Sequence, residues 1–130
     1  MANPFQQSGI FSWTELTTTD LAAAKTFYSQ LFGWTLEEQE ITDIPYTVIK
    51  VNDQPIGGMM SLPPESPAMP SQWGAYVTVE DVNASAQQAE ALGAKIIIPP
   101  TDIPETGRFC LLQDPQGATL SMITYLDSAV

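Results

Sequence analysis

Carboxylate chemistry is open to this sequence and imidazole chemistry is closed. Fifteen Asp and Glu residues face four bases, Lys25, Lys50, Lys95 and Arg108, and there is no histidine. Histidine is the commonest general base near neutral pH and the commonest ligand of transition metals. Without it, Ser-His-Asp and Cys-His nucleophile systems cannot be built within the chain. The eight glycines are scattered, and Gly57-Gly58 lacks the Lys-Ser or Lys-Thr that follows in a phosphate-binding loop. Whatever the chain does, it does without these devices.

Glu15 is the carboxylate with a distinctive setting. It lies in Gly9 to Leu16, a β-branched and aromatic run that reads as a strand. Side chains alternate along a strand, so Glu15 shares a face with Trp13 and Phe11 while Thr14 and Leu16 take the other. In apolar surroundings beside an indole the charged form of a carboxylate is disfavoured, the environment of a general base or of a contact to a polar ligand group. In a water-filled site the same residue is simply solvated. Trp13 also has two readings, a plug or a flat wall for a planar ligand. Arg108, the single arginine, suits an anion clamp or a structural ion pair. Cys110 sits mid-strand as a small buried hydrophobe. Glu37, Glu38 and Glu40 read as a solvated strand face, and Glu80-Asp81 as a helix start.

The elements that must position these residues follow from periodicity and punctuation. After the first strand, Asp20 is suited to cap a helix whose apolar positions Leu21, Ala24, Phe27, Tyr28 and Leu31 recur at helical spacing, with Gly33 as its left-handed terminator. Trp34–Leu36, Tyr46–Val51 and Ile56–Ser61 read as strands, with Asn52-Asp53-Gln54-Pro55 as a turn. Pro63 to Pro70 carries four prolines and reads as a linker. The order then repeats: a strand over Gly74–Val79, a helix with Val82, Ala86, Ala89 and Leu92 ended by Gly93, and strands over Lys95–Ile98, Arg108–Leu112 and Ala118–Tyr125, with Asp114-Pro115-Gln116-Gly117 as the last turn. Asp20 to Asp81 is an offset of 61, Gly33 to Gly93 of 60, and Asn52 to Asp114 of 62. A constant offset with the same element order marks an internal duplication.

Composition bounds the partners. The 130 residues are 44% apolar, enough for one domain with a core and without a membrane span. A formal charge of −11 repels phosphate backbones and anionic lipid, so no nucleic acid and no membrane partner is expected. The lone Cys110 forbids an internal disulfide, and Met1 to Gly9 lacks the basic flank and apolar stretch of a secretion signal, which gives a cytoplasmic expectation.

The stretch Thr17-Thr18-Thr19-Asp20-Leu21-Ala22-Ala23-Ala24-Lys25-Thr26-Phe27-Tyr28-Ser29-Gln30-Leu31-Phe32-Gly33-Trp34, with Val79-Glu80-Asp81-Val82, Leu92-Gly93-Ala94 and Asp114-Pro115-Gln116-Gly117 in the second half, resembles the glyoxalase/bleomycin-resistance/dioxygenase family, the vicinal oxygen chelate superfamily. The resemblance covers Gly9 to Tyr125. It implies an α+β fold of two βαβββ modules, about 9–62 and 71–126, forming a single domain with a cup-shaped sheet and helices outside. It further implies that the cup holds a divalent metal or a small ligand, with metal ligands on the first and last strand of each module. Those positions map to Trp13 and Gly74, and to Ser121 and, through the offset of 62, Met59. None is a competent ligand, so no metal or other cofactor is expected.

Strand alternation adds Tyr76 and Thr78 to the face of Gly74, whose missing side chain leaves room beside Trp13. The expected pocket is thus Trp13, Glu15, Met59, Gly74, Tyr76 and Ser121, mostly apolar with a few polar handles. The leading reading is a metal-free small-molecule-binding protein, with a homodimer implied by the resemblance and Trp34, Trp73 and the linker as contacts. The alternative is a lyase, isomerase or dioxygenase-like enzyme that uses Glu15 as base or a relocated divalent metal. A third is a structural or regulatory dimer with the cup filled by Trp13 and Phe11.

Overall fold

The computed structural model describes residues 3–40, 45–62 and 70–126, and the expected linker lies, apart from Pro70, outside them. The chain divides into two compact units, Trp13–Gly74 and Met1–Ser12 with Ala75–Val130. The division differs from the expected modules at the amino terminus and at residues 71–74, so the strands Phe11–Thr18 and Gln72–Thr78 are each grouped with the unit that holds most of their residues. Gly9 N–H donates to Thr78 O at 2.8 Å and Thr78 N–H to Ile10 O at 2.9 Å, which ties the leading segment to the second half of the chain.

The first unit carries the element order βαβββ: β1 (Phe11–Thr18), α1 (Leu21–Phe32), β2 (Thr35–Glu40), β3 (Pro45–Val51) and β4 (Gln54–Ser61). Asp20 caps α1 by accepting from Ala23 N–H at 3.0 Å, satisfying one of the orphan donors of the first turn. Gly33 ends it at φ 71°, a left-handed conformation that costs a glycine nothing, and its N–H donates to Ser29 O. The strands lie in the order β2-β3-β4-β1, with β1 parallel to β4 and the other pairs antiparallel. Leu16, Ile49 and Met59 are buried together against Leu21, Ala24, Tyr28, Trp34 and Leu36. One sheet face and Leu21, Ala24 and Tyr28 of α1 therefore make the core of this unit, while Phe27 and Leu31 of the expected stripe are more than half exposed because they lie on the helix side turned away from the sheet.

The second unit repeats the order with β5 (Gln72–Thr78), α2 (Val82–Ala91), β6 (Lys95–Ile103), β7 (Gly107–Gln113) and β8 (Thr119–Tyr125), arranged β5-β8-β7-β6. Asp81 caps α2 through Asn83 N–H and Ala84 N–H. The helix is also tied down by Thr124, whose hydroxyl accepts from Val82 N–H and donates to Val79 O. Val82, Ala86, Cys110, Leu112 and Met122 form the core. β6 runs five residues past the expected end at Ile98, through Pro99 and Pro100. It is the last strand of the order and its register with β7 shifts on both sides of Ile98, so the prolines withhold no ladder hydrogen bond the sheet requires. Both units are thus built on the α+β plan of a strand, a helix and three strands. Among the described residues, no helix is long and apolar enough to cross a membrane.

Met59 of β4 is completely buried in the helix-side core with Leu16 and Ile49. Truncation there removes apolar contacts and leaves a cavity, so Met59→Ala is expected to cost about 2–5 kcal/mol in denaturant unfolding. A loss below about 1 kcal/mol would contradict the packing described.

Candidate functional site

On the sheet face opposite the α1 core, the first unit joins three side chains in a hydrogen-bonded relay. Trp13 Nε1–H donates to Tyr46 Oη at 2.9 Å, and Tyr46 Oη–H donates to Glu15 Oε2 at 2.7 Å. All three residues are half-buried, between the core and the solvent. Trp13 and Glu15 sit two apart on β1 and so share a face. Tyr46 stands on β3, which is separated from β1 by β4. Two strand spacings amount to about 9.5 Å, so the tyrosine has to lie across the intervening strand. It crosses at Gly58, the register partner of both Glu15 and Val48. A Cβ built on Gly58 would overlap the Tyr46 hydroxyl and the ring carbons next to it.

The expected pocket residues are distributed as follows. Trp13, Glu15 and Gly74 belong to the first unit, and a Cβ on Gly74 would meet nothing nearer than Glu15 O at 4.0 Å. Tyr76 and Ser121 belong to the second unit, where they are register partners on the parallel pair β5–β8. Met59 does not line this face. It is the register partner of Leu16 and lies in the helix-side core, so the residue of β4 that shares a face with Glu15 is Gly58. The parallel pairs make the slip explicit: Glu15↔Gly58 corresponds to Tyr76↔Ser121, and Leu16↔Met59 to Val77↔Met122. The repeat offset on the last strand is 63, one more than the turn landmarks give, and one residue along a strand reverses the face.

Phe11 is 68% exposed and fills no cavity. Arg108 spends its guanidinium within the second unit, with Nη1 on Asp102 Oδ1 at 2.9 Å and Nε on Asn83 Oδ1 at 3.0 Å, which is the structural ion pair of the two readings. Glu37 and Glu38 project to opposite faces of β2 and pair with Lys50 and Lys25. Hydrogen bonds from those lysines hold both carboxyls below their ordinary range. Tyr46 entered the sequence reading only as the start of a strand. The signal that could have singled it out is its spacing from Val48, which places a phenol on the face carrying Glu15 once β3 and β1 are known to flank β4.

The side chains at the metal-ligand positions do not suit a metal. Trp13 offers an N–H donor and no lone pair, and that donor is engaged by Tyr46. Gly58 offers no side chain, and Tyr46 occupies the volume a side chain would need. On β5 Gly74 offers no side chain, and two residues on Tyr76 stands opposite Ser121 of β8, a phenol and a neutral hydroxyl. Divalent ions require several converging oxygen or nitrogen donors, and a single carboxylate does not supply them.

The helix side of the first unit carries a cleft of about 550 Å³ whose walls include Tyr28, Phe32, Trp34, Ile56 and Trp73. Its rings pack on one another: Tyr28 stacks on Trp34 with centroids 5.8 Å apart, and Trp73 stands edge-on to Tyr28 at 5.3 Å while its Nε1–H donates to Tyr28 Oη.

Residues 10–122 match the family model of the glyoxalase/bleomycin resistance protein/dioxygenase superfamily. The chain belongs to that superfamily. Among its superfamily relatives, CFP32 of Mycobacterium tuberculosis (strain CDC 1551 / Oshkosh), a glyoxylase by name, is 39% identical over 118 residues, covering 90% of this chain and 44% of that protein. The anthracycline biosynthesis protein DnrV of Streptomyces peucetius is 26% identical over 130 residues, covering 88% and 46%. The chain thus spans less than half the length of these two relatives. Methylmalonyl-CoA epimerase from Mycobacterium tuberculosis has the same fold, with a TM-score of 0.65 at 16% identity, covering 88% of this chain and 86% of that one. An epimerase structure of this fold in complex with methylmalonyl-CoA matches with a TM-score of 0.69 at 16% identity, over 94% and 98% of the two chains.

Cys110 is fully buried in the second core, and burial, with Glu90 adding to it, pushes its thiol above the ordinary range. The thiolate is the reactive form. Cys110 is therefore expected to resist alkylation in the native protein at pH 8 and to react stoichiometrically once unfolded, which a thiol-reagent titration with and without denaturant checks. Fast native-state labelling would contradict the burial.

Proposed function

We propose that this chain is a small-molecule-binding member of the superfamily that works without a metal, and that Glu15 is the polar anchor of its site. The observation that carries the reading is the Trp13–Tyr46–Glu15 relay. The relay fixes a carboxylate in one orientation beside an indole. A fixed acceptor next to an aromatic face matches a planar, partly apolar molecule carrying an N–H, O–H or cationic group. A net charge of −11 favours cations over anions at any such site. The names of the relatives, a glyoxylase and a protein of anthracycline biosynthesis, point in the same direction, toward small organic molecules.

The 2.7 Å contact between Tyr46 Oη and Glu15 Oε2 favours one second reading. A carboxylate and a phenol side by side are an acceptor and a donor at one point, the pair that proton transfer to and from a substrate carbon or oxygen requires. Under it the chain is a lyase or isomerase with Glu15 as base and Tyr46 as its hydrogen-bonding partner. A homodimer and a reducing, cytoplasmic setting belong to the proposal as well. Phe27, Leu31 and Phe32 are each more than half exposed on one helix, an apolar surface suited to a partner copy.

A thermal-shift screen of planar amines and heteroaromatic N–H compounds, run beside elemental analysis, tests the reading. Expected are hits that Trp13→Ala weakens by about 0.5–1.5 kcal/mol beyond lost area, and no stoichiometric Zn, Ni, Fe or Mn. Glu15→Gln separates the two readings, since under catalysis it abolishes turnover while leaving binding of neutral compounds in place. A metal at one equivalent per chain would sink the metal-free reading. So would a screen without hits in which Trp13→Ala costs about 3–5 kcal/mol of stability, the signature of a residue that only fills space.

A further inference from the structure

We infer that Gly58 is the positioning residue of this site: its missing side chain gives the Tyr46 phenol the volume from which it holds Trp13 and Glu15. The inference rests on the proposed role of Glu15 and goes beyond it, because it concerns what holds the carboxylate rather than what the carboxylate holds. Gly58 is in register with Glu15 on the parallel pair β1–β4, which sets residue 58 and residue 15 side by side on one face. A side chain at residue 58 would therefore point where Glu15 points. Glycine leaves that volume to a residue arriving from the far side of the strand.

Tyr46 takes it. The three atoms nearest to a Cβ on Gly58 all belong to Tyr46, its hydroxyl oxygen and two ring carbons. The hydroxyl then accepts from Trp13 and donates to Glu15, so one phenol fixes both members of the β1 pair. A phenol here and a longer side chain at residue 58 are mutually exclusive occupants of the same space. The backbone of Gly58 has an ordinary negative φ, since it is not among the positive-φ glycines, so its conformation alone does not demand glycine. What demands glycine is the ring above it. The phenol is the end of a side chain and can swing away, so an alanine at residue 58 is expected to displace Tyr46 and break the relay while the sheet stays folded.

Hydrogen exchange of the tryptophan indole protons, followed by NMR on the ligand-free full chain, tests this without reference to any ligand. Trp73 serves as the internal standard, because its indole donates to Tyr28 Oη on the other side of the unit. Gly58→Ala is expected to speed exchange at the Trp13 indole by about five- to tenfold and to leave Trp73 unchanged, the size following from loss of one hydrogen bond. Tyr46→Phe should do the same at Trp13 with residue 58 untouched, which keeps the test decisive if Gly58→Ala folds poorly. The melting temperature closes a double-mutant cycle: Gly58→Ala should lower it in the parent and not in a Tyr46→Ala background. Unchanged Trp13 exchange in either single variant, or an equal melting-temperature loss in both backgrounds, overturns the assignment. Neither outcome depends on whether a small molecule binds, so failure here is distinct from failure of the binding reading.

Discussion

A tyrosine can reach across a neighbouring strand only where that strand presents no side chain. In this protein the constraint is met at Gly58, and the arrangement of the site follows from it. With the phenol of Tyr46 lying over Gly58, the indole of Trp13 and the carboxylate of Glu15 acquire a common partner. The two β1 residues point the same way because the strand repeats every two residues, and they are held there because α1 and Leu16, Ile49 and Met59 occupy the opposite face. The core sets the orientation of the sheet, and the phenol locks the polar groups on the face that the core leaves open.

The two units share one plan and differ in chemistry. At corresponding register positions the first unit has Glu15 beside Gly58 and the second has Tyr76 beside Ser121. The duplication therefore conserves the helix-side packing, where Leu16↔Met59 matches Val77↔Met122, while the other face diverges. In the second unit that face is overlaid at one end by the leading segment: Thr78 Oγ1 donates to Pro4 O at 2.8 Å, and the rings of Phe5 and Tyr125 meet edge-on at 4.7 Å. A bound segment and two neutral hydroxyls make a different surface from the carboxylate relay of the first unit.

The sequence announced the architecture well because its signals are local. Asp20, Gly33 and Asp81 act as the caps their types and positions imply, and Leu21, Ala24 and Tyr28 of α1 and Val82, Ala86 and Ala89 of α2 pack on the cores, whereas Phe27, Leu31 and Leu92 of the expected stripes are exposed. The superfamily was legible for the same reason, since its marks are runs of adjacent residues. The site was legible only in part. Trp13 and Glu15 could be placed on one face by alternation, but Met59 was assigned to it through a turn-based offset that misses by one residue, and parity turns that into the wrong side of the sheet. Tyr46 stayed hidden because its role depends on the order β3-β4-β1, a long-range fact that no local pattern encodes. Gly57-Gly58 carries no phosphate-loop signature, and nothing local shows that the use of Gly58 is to be small beneath a ring.

Two surfaces compete for any ligand of the first unit, the relay face and the aromatic cleft beside Tyr28 and Trp73. They differ in chemistry: one offers a carboxylate, the other stacked rings whose polar atoms already bond to each other. Soaking crystals with a library of planar amines and neutral aromatics tests the account most directly, because it shows where the density falls. The account predicts amine-bearing compounds with a nitrogen within hydrogen-bond distance of a Glu15 carboxylate oxygen and a ring against Trp13. Compounds gathered only in the Tyr28–Trp73 cleft, with the relay face bare, would contradict it.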